Sequence, residues 1–190
     1  MDNLKVIVGI DDLKERRKLK EILSTFGALV VGEGDEIRSL INLTSRIYPD
    51  LIILEERLKN KKILPYTKIF YENRLCPVVL YVEQIDWEYL EELKKGPSLS
   101  LLVKPATVLS LLGATYTALT NFNTFVDLML QKEELEKRLE ERRLIDRAKA
   151  LLIQKENLSE AEAYHYLREE SRRYSISMGK IARIIIEKYT

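Results

Sequence analysis

Five short apolar runs punctuate the first half of the chain: "KVIVGI" (residues 5–10), "ALVVGE" (28–33), "DLIIL" (50–54), "PVVLYV" (77–82) and "SLLVK" (100–104). Each is too short for a buried helix and too uniformly apolar for a strand with one wet face, so each reads as a strand covered on both sides. Between them lie stretches of helical period, "LKERRKLKEILSTFG", "EIRSLINLTSRI" and "WEYLEELKKG". The alternation predicts an α/β fold over residues 1–120: a doubly wound, five-stranded parallel sheet with helices on both faces. The helical pattern is weakest around residues 63–74.

After residue 107 the strand pattern stops. From Val108 to about Glu156 there is no proline and one glycine, Gly113, so a single long helix can run through. Within it Phe125, Leu128, Lys132, Leu135, Leu139 and Arg142 recur three and four apart, a heptad seam of under three heptads with charges at two core positions. A coiled-coil segment over residues 121–142 is expected, and a homodimer through Phe125, Leu128, Leu135 and Leu139; the alternative is a helix packed on its own domain. The C-terminal third reads as three helices. Ser159 and Glu162 form an S-x-x-E capping box, and Ser177 can cap a last helix, "MGKIARIIIEKY".

Composition narrows the function. At 190 residues and 46% hydrophobic, the chain can bury a core and fits one ordinary domain plus a smaller one. No apolar run approaches the roughly 20 residues needed to cross a bilayer, and the N-terminus lacks a signal-peptide layout, so a cytoplasmic protein without membrane contact is expected. Cys76 and His165 are the only residues of their kinds. Disulfide frameworks and Cys/His zinc sites are thereby excluded, leaving Cys76 as a small core residue and His165 as an ordinary helix residue. "GIDDLKERR" after the first strand carries two aspartates where a nucleotide-binding glycine loop would stand.

Net charge is only +1, but residues 142–190 hold 11 Lys or Arg against 7 Asp or Glu. Arg142, Arg143, Arg147 and Lys149 cluster on one helix, and Arg168, Arg172 and Arg173 on the next. Arginines beside Tyr164 and Tyr166 suit phosphate contacts and stacking on unpaired bases. A solvated helix face with core tyrosines is the alternative.

The residues "RRLIDRAKALLIQKENLSEAEAYHYLREESRR" and "KIARIII" resemble the ANTAR domain, a three-helix RNA-binding module, over about residues 139–190. Arg142, Ala148, Lys149, Leu152, Ser159, Glu162, Ala163, Tyr164, Leu167 and Arg168 carry the match; Ala150 and Ile153 depart from it. The N-terminal part resembles a response-regulator receiver, a flavodoxin-like fold. Asp11 and Asp12 stand as the receiver's acidic pair, and Lys104 and Pro105 as its lysine and proline. Glu55, six residues after Pro49, falls on the position of the phosphorylated aspartate. The hydroxyl position after the fourth strand falls on Val82.

The resemblance implies a pseudo-receiver with an acidic site of Asp11, Asp12, Glu55 and Lys104, without phosphorylation and without cofactor, though with room for weak magnesium binding at the three carboxylates. Glu55 either reaches Lys104 and mimics the phosphorylated state, or the domain is a scaffold regulated by a protein partner. It further implies a non-enzymatic transcription antitermination regulator that binds stem-loops of nascent messenger RNA through Arg142, Lys149, Tyr164, Arg168 and Arg172. A rival reading is a protein-interaction adaptor whose arginine face meets an acidic protein. A phosphorylated DNA-binding regulator is disfavoured, since no helix-turn-helix signature is visible.

Overall fold

A computed structural model of the chain describes residues 3–95 and 99–189, without the side chains of Glu92 and Lys95. It divides into two compact units, Met1–Asp127 and Leu128–Thr190.

The first unit alternates strands and helices: β1 (Lys5–Gly9), α1 (Leu13–Thr25), β2 (Leu29–Gly34), α2 (Ile37–Ile47), β3 (Leu51–Glu55), β4 (Arg57–Leu58), β5 (Lys61–Lys62), α3 (Leu64–Glu72), β6 (Val78–Val82), α4 (Trp87–Lys95) and β7 (Leu99–Val103). Five strands form one parallel sheet in the order β2-β1-β3-β6-β7. The chain steps outward from β1 to β2, then returns past β1 to β3, and this reversal places helices on both faces. The helical stretch expected to end at Gly96 forms α4; Gly96 itself lies outside the described residues.

Side chains of a strand alternate between faces, so a run buried on both sides must be apolar throughout. In β3, Ile52 and Leu54 join one layer with Leu40, Leu64, Phe70 and Tyr89 of α2, α3 and α4. Leu51 and Ile53 join the other with Leu19 and Leu23 of α1. Each such fully buried side chain contributes roughly 1.5–3 kcal/mol of transfer free energy. Gly9 ends β1 for a packing reason: a Cβ there would lie 2.6 Å from a Leu40 methyl and 2.7 Å from one of Leu54. Cys76 is buried, as expected, and burial pushes its thiol up to about 12.

The β4–β5 hairpin was not expected from the sequence. Its turn residues Lys59 and Asn60 both have positive φ, 48° and 63°, as a tight hairpin turn demands. "RLKNKK" lacks the Asn-Gly or Asp-Gly signature, so nothing local announces it.

Helix α5 (Val108–Glu156) is a single helix of 49 residues, as the absence of breakers predicts. Its first turns bury Leu111 and Ala118 in the first unit. In the second unit its C-terminal part packs with α6 (Glu160–Tyr174) and α7 (Met178–Tyr189) around Ala148, Leu152, Ala163, Leu167, Ile181, Ala182 and Ile185. The capping box forms as predicted: the Glu162 amide donates to the Ser159 hydroxyl, and the Ser159 amide donates to the Glu162 carboxylate. Ser177 caps α7 through a long bond from the Lys180 amide, 3.4 Å. Glu141 of α5 adds a second tie, accepting the Gly179 amide at 3.0 Å.

Candidate functional site

The carboxyl ends of β1, β3, β6 and β7 gather the acidic residues picked out in the sequence, together with several that were not. Glu55 ends β3 and is largely buried. Its Oε2 accepts the Asp11 amide at 2.9 Å, and its Oε1 lies 2.5 Å from the Lys104 ammonium. Lys104 also reaches Glu83, just beyond β6, at 3.0 Å. With side-chain exposures of 17% and 12%, Lys104 and Glu55 exclude most solvent from their pair. Burial alone would lower the Lys104 pKa; hydrogen bonds to Glu55 and Glu83 overcome it and push the ammonium up to about 12.

The two aspartates have other partners. Asp12 is the N-cap of α1, accepting the Lys14 amide at 2.7 Å and the Glu15 amide at 2.9 Å. The Glu15 and Lys14 amides hold its carboxyl below the usual range. Asp11 accepts the Lys59 amide at 2.6 Å, which ties the β1–α1 loop to the hairpin turn. Magnesium needs several converging oxygen ligands. Here Asp12 serves a helix, Asp11 a turn and Glu55 a lysine, and no group of three metal-ligating side chains exists among the described residues. The weak magnesium site allowed for at Asp11, Asp12 and Glu55 does not fit this arrangement.

Further side chains lace the same end of the sheet. The Tyr81 hydroxyl donates to Glu15 at 3.0 Å and accepts the Ala106 amide at 3.2 Å. Tyr89 of α4 donates to Glu56 at 2.5 Å, and Lys62 meets Glu88 at 2.7 Å. Burial, then Glu15, raises the Tyr81 phenol despite the Ala106 amide; burial and then Glu56 raise that of Tyr89. Sequence reasoning missed Glu83, Glu56, Tyr81 and Tyr89. Their roles depend on which strands are neighbours, and no local pattern encodes that. Val82, at the end of β6, is fully buried and brings no hydroxyl.

In the second unit, α5 and α6 enclose a cleft of about 450 Å³ lined by Arg138, Glu141, Arg142, Ile145, Asp146, Lys149 and Tyr164. Three of the expected contact residues, Arg142, Lys149 and Tyr164, therefore come together. Arg168 and Arg172 follow Tyr164 at one-turn steps along α6, all three exposed. Their states differ. Arg142 and Arg168 have no ion-pair partner among the described residues, whereas Arg172 meets Glu169 at 3.0 Å. Lys149 is the exception to the expected free face: 18% exposed, it bridges Asp146 at 3.1 Å and Glu160 at 3.0 Å, and these carboxylates raise its pKa. It clamps α5 to the start of α6.

On the expected dimer seam, Leu128, Leu135 and Leu139 are each more than half exposed. Phe125 is half-buried, edge-on to Tyr71 of α3 with ring centroids 6.3 Å apart. No described helix is long and apolar enough to cross a membrane.

Comparison with known proteins follows the two units. Residues 133–186 match the ANTAR domain family. Over 183 residues the chain is 25% identical to the transcriptional regulatory protein PdtaR of Mycobacterium tuberculosis, covering 96% of this chain and 89% of the relative. The fold of the first unit is shared with the signal receiver domain of the putative response regulator NarL from M. tuberculosis, with a TM-score of 0.56 and 21% identity over 63% of this chain and 98% of that one. It is likewise shared with the receiver domain of a modulated diguanylate cyclase from Desulfovibrio desulfuricans, with a TM-score of 0.56 and 17% identity over 65% and 98% of the two chains. Residues 133–186 thus match an ANTAR domain, and they follow a unit with the fold of a receiver domain.

Proposed function

We propose that the chain is an RNA-binding regulator of transcription antitermination, without catalytic activity, whose receiver-like unit works without phosphorylation. The observation that carries the RNA reading is the α5–α6 cleft, where the unpaired guanidinium of Arg142 and the exposed ring of Tyr164 adjoin and lead onto Arg168. A cation for phosphate beside an aromatic face for a base is the chemistry that single-stranded loops need. By resemblance to the family, the target is a stem-loop of nascent messenger RNA whose stabilisation prevents a terminator hairpin.

In the receiver-like unit, Glu55 stands where a receiver carries its phosphorylated aspartate. Its carboxylate already takes the Lys104 ammonium that would otherwise hold a phosphoryl oxygen. One extra methylene displaces the nucleophile from a geometry that tolerates fractions of an ångström. Val82 removes the hydroxyl that would report the phosphoryl group. The unit is then a closed scaffold that takes its signal from a protein partner. The exposed Leu128, Leu135 and Leu139 support a homodimer through α5.

Electrophoretic shifts with hairpin RNA and with acidic protein competitors at matched salt test the reading. Saturable binding of the hairpin is expected. Binding of the acidic competitor alone would favour an adaptor.

A further inference from the structure

On α6, Tyr166 is turned about 200° from Tyr164 and from Arg168, each two residues away, and Tyr174, eight residues on, stands within about 80° of Tyr166. There they line, with Ile176 and Ile184, an apolar groove of about 430 Å³ between α6 and α7. Ile181 and Ile185 already fill the core from α7, so Ile184, 55% exposed, adds nothing to it. Tyr166 and Tyr174 are 43% and 58% exposed. At Tyr166 the groove continues into a second apolar hollow of about 460 Å³ beside Leu158, Ala161 and His165. From Ala161 to Tyr174 the surface follows α6 for roughly 20 Å, nearly four helical turns. A contiguous apolar strip with a polar rim marks an interaction surface rather than ordinary exposure.

The rim identifies the occupant. Three carboxylates, Glu162, Glu169 and Glu170, border the strip against one cation, Lys188. Lys188 is itself drawn to Glu156, at 3.8 Å. Glu169 meets Arg172 at 3.0 Å in an exposed pair, which is weak and exchanges readily for a partner's cation, while the half-buried Glu170 meets Arg173 at a longer 3.6 Å, with Arg173 also over the Tyr174 ring. Such a rim repels a phosphate backbone. It complements a helix whose apolar stripe, spaced i, i+3, i+4 and i+7, is flanked by lysines or arginines. We propose that the α6–α7 groove docks an amphipathic, basic helix of a protein partner, leaving the arginine side of α6 free for RNA.

The test uses the full chain and two synthetic helical peptides with the same leucine stripe, one flanked by lysines and one by glutamates, followed by fluorescence anisotropy at fixed salt. The lysine peptide should bind, and the glutamate twin should bind at least about tenfold more weakly. Ile184→Glu and Tyr174→Ala, both at exposed positions and checked for native circular dichroism, should each weaken the lysine peptide by about tenfold or more, while Arg168→Ala leaves it unchanged. Equal binding of the two peptides, binding of neither, or indifference to both groove variants would overturn the proposal. So would a change from dimer to monomer on Ile184→Glu, which would make a second copy the occupant. A loss of hairpin RNA affinity on Tyr174→Ala would assign the groove to RNA instead and overturn it equally.

Discussion

The Lys104 ammonium lies 2.5 Å from Glu55 Oε1, across the carboxyl ends of β7 and β3, two strands separated in the sheet by β6. On the pseudo-receiver reading proposed above, this one contact spans the position at which a receiver would hold a phosphoryl group. Incubating the chain with a small phosphodonor and magnesium should therefore leave its intact mass unchanged. A phosphoryl adduct on Asp11, Asp12 or Glu55 would sink the pseudo-receiver reading. Glu55→Asp alone should not restore switching, because Val82 still offers no hydroxyl.

The same pair sets a pH dependence. The folded-state pKa of Lys104, about 12, lies above its ordinary value of 10.5. A raised lysine pKa means the folded state holds its proton more tightly, so the stabilisation is complete below 10.5 and is lost as pH rises through about 12. Stability should fall over that window in the parent and fall less in Glu55→Gln, as read by urea midpoints at stepped pH. An equal fall in both proteins would show that Glu55 is not the group that raises Lys104.

The leucine seam of α5 can be tested by sedimentation. Replacing Leu128 and Leu135 together by polar residues removes two apolar positions, each contributing about 1.5–3 kcal/mol of burial per chain in a dimer. Monomers are expected. Phe125, already edge-on to Tyr71, should matter less. If the double variant still sediments as a dimer, another surface carries the association.

For RNA, the ion pairs divide residues that the sequence grouped together. Arg142→Ala and Arg168→Ala should weaken hairpin binding and flatten its salt dependence, each by roughly one unit of slope or somewhat less. Lys149→Ala should instead lower stability, with a smaller change in slope, because Lys149 is engaged with Asp146 and Glu160. Salt titrations of affinity beside thermal melts separate the two effects. Arg142 and Arg168 variants that bind like the parent at every salt concentration would leave this face merely solvated.

Ser159 offers a purely structural control. Its hydroxyl accepts the Glu162 amide at the start of α6, and Ser159→Ala should cost about 1 kcal/mol, the ordinary value of an N-cap. Hairpin affinity should change only so far as unfolding contributes. A stability unchanged by the substitution would mean that the cap is dispensable.

Local pattern alone specified much of this protein. Strands buried on both faces must be apolar at every position, so "DLIIL" and "PVVLYV" announced a parallel sheet. A stretch without proline and with a single glycine announced α5, and Ser159 with Glu162 announced the start of α6, because periodicity, helix breakers and caps act over a few residues. The charge of the arginine cluster and the glutamate at residue 55 were legible for the same reason. Tertiary structure decided which of these groups are free and which are consumed. Asp12 became a helix cap, Asp11 a turn anchor and Lys149 a clamp, while Glu83 and Tyr89, inconspicuous in sequence, joined the end of the sheet. Strand order and helix packing bring together residues far apart along the chain, and a carboxylate or ammonium takes the nearest partner of opposite charge or free amide that this packing supplies.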